Sequence, residues 1–93
     1  MKLIYTTHLE FRLEIRDIPY DLPSHIFKHA NEHYYDTLTK HYVALYKIKF
    51  EGKIREMALT YDRKKGAIEI ITLHPIRLYQ KIRRINSERW KKI

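Results

Sequence analysis

The sequence predicts an α+β domain in which two N-terminal helices pack on an antiparallel β-meander, followed by a basic C-terminal helix or tail. Three observations predict it. Residues 41–73 are rich in Tyr, Val and Ile and are broken only by two polar turns, Glu51-Gly52-Lys53 and Asp62 to Gly66. The residues before them place apolar side chains at helical spacing behind capping residues. The residues after them carry an apolar stripe backed by arginine and lysine. With 93 residues the chain makes one domain, 1–93, whose residues 75–93 form a basic segment. Only two glycines and three prolines interrupt it, so its loops should be short.

The elements follow in order. Lys2–Tyr5 reads as a short strand. Leu9, Phe11, Leu13 and Ile15 alternate like a strand, yet Leu9/Leu13 and Phe11/Ile15 also lie one helical turn apart. Thr7 and Glu10 have capping-box spacing, which favours a helix over His8 to Asp17, closed by Ile18-Pro19. A second helix is expected from an N-cap at Ser24 to about Tyr34, with Ile26, Phe27 and Ala30 inward. His41–Phe50, Ile54–Tyr61 and Ala67–Leu73 are the three strands of the meander, whose wet face implies helical cover on the other. A third helix is expected over Ile76–Ile85, with Ile76, Tyr79, Ile82 and Ile85 as its inner stripe.

Several function classes drop out. The chain has no cysteine, which removes disulfides, thiolate zinc sites and a cysteine nucleophile. No stretch resembles a signal peptide or approaches the ~18 apolar residues of a membrane span, so a cytoplasmic protein with no membrane partner is expected. No Gly-rich phosphate loop, serine-nucleophile motif, HExxH or RNP signature is present.

Charge is the plainest functional signal. The net charge is +8, and it is concentrated after Leu45, where fourteen Lys/Arg stand against five Asp/Glu. Such asymmetry points to a polyanion, RNA first. An acidic protein partner and simple solubility remain the alternatives. Arg77, Lys81, Arg83, Arg84 and Arg89 are the candidate phosphate contacts, and Trp90 is a candidate stacking platform if it is not core.

Two constellations have the chemistry of a site. His8, Arg12 and Arg16 are four apart and share one helical face. A neutral imidazole near a helix N-terminus can act as a base, and two arginines can hold phosphate oxygens. The same spacing also describes a solvated polar stripe. Thr72 and His74, two apart at the end of the last strand, point to one face beside the basic segment; they are equally explained as strand filler and a loop residue. His25, His29 and His33 repeat every four residues, but nothing completes a metal site, so no metal or other cofactor is expected.

The order Thr7-His8, Arg12, Arg16, Ile18, a second helix, and a Tyr-rich meander closing in Ile70-Ile71-Thr72-Leu73-His74-Pro75 resembles small domains allied to RelE/ParE/BrnT-like toxins, within a wider group of barnase-like and EndoU-like ribonucleases. The likeness spans roughly residues 2–75. It implies metal-independent RNA cleavage, in which a base takes the ribose 2′-OH proton and that oxygen attacks phosphorus. An acid protonates the leaving 5′ oxygen, and a 2′,3′-cyclic phosphate remains. Carried onto this sequence, His8 and His74 would be the base and acid in either order, Arg12 and Arg16 would stabilise the phosphate, and Thr72 would position it. The resemblance further implies an acidic antitoxin partner. The oligomeric state stays open, a homodimer included.

Overall fold

The computed structural model describes residues 2–93. The chain is α+β, with three helices and a six-stranded mixed sheet. Strand β1 (Lys2–Tyr5) leads into helix α1 (Thr7–Ile15). Thr6, not Thr7, caps α1: its backbone is extended, and its Oγ1 accepts the Leu9 amide at 3.1 Å. The helix closes at Arg16, after which Asp17 turns left-handed (φ 54°) and Ile18 donates back to the Leu13 carbonyl.

Helix α2 (Leu22–His29) begins before Ser24, with Pro23 in its first turn. The Ser24 hydroxyl is instead hydrogen-bonded to that of Tyr5 at 2.7 Å. α2 also ends short of the expected Tyr34. Ala30 is extended, and Glu32–Asp36 form strand β2, which pairs with the following strand and buries Tyr34 and Asp36. Pairing partners for this β-prone Tyr34-Tyr35 stretch outweigh one more helical turn.

Strands β3 (Tyr42–Phe50), β4 (Lys53–Lys64) and β5 (Ala67–Pro75) are antiparallel neighbours in chain order. Glu51 (φ 52°) and Gly52 (φ 86°) make the two-residue turn between the first two, where positive φ at both positions matches the strand twist. The sheet is larger than a meander, and the all-antiparallel expectation is corrected. Its order is β1-β5-β4-β3-β2-β6; β1 is parallel to β5, and the expected C-terminal tail contains β6 (Trp90–Lys92), which pairs with β2.

One face of the sheet packs Met57, Leu59, Tyr61, Ile68, Ile70 and Leu73 against Leu9 and Leu13 of α1 and Ile26 of α2. The other face carries a smaller cluster of Tyr34, Val43, Leu45, Ala58, Ile76 and Trp90, with Ile85 from helix α3 (Leu78–Asn86) beside it. Only half of the expected stripe is buried: Ile76 and Ile85 join the core, while Tyr79 and Ile82 do not. Leu78, Tyr79 and Ile82 are exposed, at 66 %, 58 % and 46 %. Lys81 sets the rotation instead: its Nζ lies 3.0 Å from Glu32 and 3.1 Å from Glu56 on the sheet. Two carboxylates facing an otherwise apolar surface need a cation, and bringing Lys81 to them leaves Leu78, Tyr79 and Ile82 outward. No helix among the described residues is long and apolar enough to cross a membrane.

Candidate nucleic-acid groove

Strand pairing places Thr72 and His74 on the face that α3 crosses. Tyr61 pairs with Ile70 and Thr60 with Thr72, so Ile71 is an extra residue in β5. This bulge resets the alternation. Leu73 stays on the helix-covered side, while Thr72 and His74 line a groove of about 350 Å³ with Thr60, Ala58 and Val43. Arg84 of α3, together with Arg89 and Trp90, forms its wall, and Asp36 and His41 border its far end.

His74 keeps an exposed edge, yet its pKa is lowered, first by crowding against the protein and then by the positive charges of Arg84 and Arg12. Near neutral pH the ring is therefore uncharged, the form that accepts a proton. Arg84 lies over the Trp90 ring at 5.3 Å. Among the described residues it has no carboxylate within ion-pair distance. Burial, and then the charge of Arg89, lowers its pKa as well. Asp36 acts on it from a distance but is bonded to Arg89 and Trp90, so this guanidinium, in no direct ion pair, is open to an anion.

Arg89 differs. Its Nε and Nη2 both donate to Asp36, at 3.0 to 3.2 Å, and Trp90 Nε1 donates to the same carboxylate at 3.1 Å. Asp36 also accepts the amides of Leu38 and Thr39. Burial alone would raise its pKa, but the Arg89 bonds, the two amides and Trp90 outweigh that and hold it at about 2. Trp90 is thus not free to stack on a base. It is 3 % exposed, with Tyr34 stacked on it at 5.5 Å and Arg84 over its ring. The exposed aromatic of this region is Tyr79, with Arg83 5.7 Å from its ring centre.

The His41 Nδ1 lies 2.8 Å from Asp62 Oδ1, which sequence reading missed. The pair is a cross-strand neighbour effect between the starts of β3 and the end of β4, invisible until register is known. It fixes the ring and gives an imidazolium a counter-ion. The register separates it from His74, however. His74 is level with Ala58 and Leu45, four residues along β3 from His41, or roughly 13 Å. Their backbone positions are therefore well apart along the sheet, although both side chains line the groove.

The helical constellation is only partly drawn in. His8, Arg12 and Arg16 do not line the groove. They sit on α1, whose Leu9 and Leu13 pack on the opposite face of the sheet; His8 and Arg16 are exposed, and Arg12 is half-buried with its charge felt at His74. Of the basic segment, Arg84 and Arg89 border the groove, Arg83 lies beside it with Tyr79, Arg77 begins α3, and Lys81 is consumed by its two glutamates. His33 leaves the histidine row because it belongs to β2, where it bonds the Tyr61 hydroxyl and the Ala30 carbonyl. Another cavity, about 630 Å³, lies elsewhere, among Phe27, His33, Tyr61, Arg63, Lys64 and Ile68. His33 and Tyr61 bond each other there, Lys64 pairs with Glu69, and Arg63 lies over the Tyr42 ring.

No known protein family, curated protein or solved structure matches the chain. The groove's own chemistry must carry the functional reading.

Proposed function

We propose that the protein binds single-stranded RNA along the α3 face and cleaves it as a metal-independent, toxin-type endoribonuclease centred on His74. The observation that supports this most is a proton-accepting histidine beside a guanidinium that is in no direct ion pair. The His74 ring takes the 2′-OH proton, the 2′ oxygen attacks phosphorus, and Arg84 offsets the charge that develops. Arg12 adds positive potential from the far side, and Thr72 offers a hydroxyl to a phosphate oxygen. The leaving 5′ oxygen takes its proton from water, since His41 stands too far along the sheet. His8 has no part in this step, and Tyr79 with Arg83 stacks on a flanking base.

The exposed Leu78, Tyr79 and Ile82, rimmed by Arg77 and Arg83, also suit an acidic amphipathic segment of an antitoxin-like partner, which would close the groove. The separation of His41 from His74 favours a second reading, a non-catalytic RNA-binding module with the same groove and no paired acid. One experiment divides them: purified protein is incubated with end-labelled single-stranded RNA, with and without EDTA, alongside His74→Ala and His8→Ala. Nuclease action predicts EDTA-resistant fragments ending in cyclic phosphate, lost by about 10²-fold or more in His74→Ala and kept in His8→Ala. Salt-sensitive binding without fragments leaves the binding module, and no binding at all removes RNA as the ligand.

A further inference from the structure

The α1/α2 layer leaves an opening on its own side of the sheet. Helix α2 packs on β3 and β4, and Phe27 is its last apolar side chain before the chain turns off at Ala30. From Phe27 the cavity of about 630 Å³ runs to the β4–β5 turn, and its volume is in the range of pockets that take a small molecule. Phe27, Tyr61, Ile68 and Ile93 give it a largely apolar wall. Its polar side chains are committed, with one exception. The Ala30 carbonyl only accepts, so His33 Nε2, 3.1 Å away, holds the ring proton. Nδ1 of the neutral imidazole then accepts from the Tyr61 hydroxyl at 2.8 Å. Lys64 is paired with Glu69. Arg63 is the exception: among the described residues it is in no ion pair. It follows Tyr61 by two residues on β4 and so shares its face, and its guanidinium lies over the Tyr42 ring at 4.7 Å. It is close enough to Tyr61 to oppose the rise that burial causes in the pKa of that hydroxyl. The ring contact fixes the side chain without neutralising it, so its fork of N–H donors stays available to a carboxylate.

We propose that this cavity binds a small carboxylate with an aryl body, its head against Arg63 at the mouth and its body between Phe27, Tyr61 and Ile68. The head belongs at the mouth because Arg63 is exposed, so neither charge has to leave water entirely. The body is apolar because the paired His33 and Tyr61 rings offer no spare N–H or O–H. A nucleobase buried there would find no donors for its acceptor atoms. An aryl group suits the wall, since Phe27 and Tyr61 already meet edge-on at 5.0 Å and a third ring extends that packing. The cavity lies on the face of the sheet opposite the His74 groove, so the inference stands apart from the RNA reading.

The test titrates the full, isotope-labelled chain with naphthoate, its neutral amide naphthamide, and adenosine monophosphate, and follows the backbone amide resonances. Naphthoate should shift the amides of Arg63, Gly66 and Ile68 and bind about tenfold more tightly than naphthamide. Arg63→Gln, at an exposed position that does not carry the fold, should remove that preference and leave the affinity for naphthamide as it was. Ile93→Ala should weaken both ligands, because it removes wall and not charge. Equal affinity for acid and amide in wild type, or a preference that survives Arg63→Gln, would overturn the carboxylate assignment. Shifts scattered over the basic surface, or none with any probe, would overturn the cavity as a site. Tighter binding of adenosine monophosphate at the same amides would overturn the aryl carboxylate in favour of a nucleotide.

Discussion

Asp36→Asn tests how the basic C-terminal segment is attached. Asp36 is 3 % exposed and gathers two donors from Arg89, one from Trp90 and two backbone amides. Lowering its pKa from 3.8 to about 2 corresponds to about 2 kcal/mol of folded-state preference for the carboxylate. Asparagine keeps the shape and removes the charge, so the variant should lose about 2 kcal/mol at neutral pH, or roughly 10 °C in Tm for a domain of this size. The pH dependence follows in sign. A depressed carboxylate stabilises above its unfolded pKa, and that contribution disappears as the pH falls through the folded value. The gap between wild type and variant should therefore be constant from pH 7 to about 4 and then narrow toward about pH 2. Denaturant unfolding followed by Trp90 fluorescence at several pH values reads both quantities. A loss under about 0.5 kcal/mol, or a gap that does not narrow in acid, would show that the Asp36 cluster does not anchor β6.

Three further outcomes are expected. Lys81→Met should destabilise by about 2 kcal/mol in thermal melts, less than a fully buried pair because the three side chains retain some exposure, and an unchanged Tm would refute its role in seating α3. Glu51→Asn should stabilise by about 0.5–1 kcal/mol, since asparagine tolerates the left-handed backbone at φ 52° far better than glutamate does. If His74 is the base, its lowered pKa places the acid limb of the cleavage pH profile below the ordinary histidine value of 6.5, with activity falling as pH drops; a limb above 6.5 would contradict that role.

What was legible in the sequence was local. Lys2–Tyr5, the three strands of the meander and the existence of three helices follow from period, propensity and turn residues. That Thr72 and His74 share a face follows from their spacing of two. What was not legible depended on distant partners. The choice of Thr6 over Thr7 as cap turns on a single hydrogen bond. The strand at Glu32–Asp36 exists because β3 and β6 flank it. The face on which Thr72 and His74 emerge is fixed by a bulge at Ile71, and one inserted residue inverts everything after it. The phase of α3 misled in its middle: Ile76 and Ile85 reach the core as expected, but two glutamates on the sheet hold Lys81 and leave Tyr79 and Ile82 in solvent. Trp90 was ambiguous as core or platform until Asp36 was seen to hold its indole.

The parallel pairing of β1 with β5 and the return of β6 to β2 have a consequence for the timing of synthesis. Residues 32–75 can zip hairpin by hairpin as they emerge, but Lys2–Tyr5 must wait for a partner some sixty-five residues downstream. The wall of the groove waits longer still, until Arg84, Arg89 and the β6 strand have left the ribosome. At roughly 5–20 residues per second, His74 is made about one to three seconds before Arg89. If the protein acts on RNA as proposed, a chain made in this order acquires its His74 groove only once the arginines that wall it have been added.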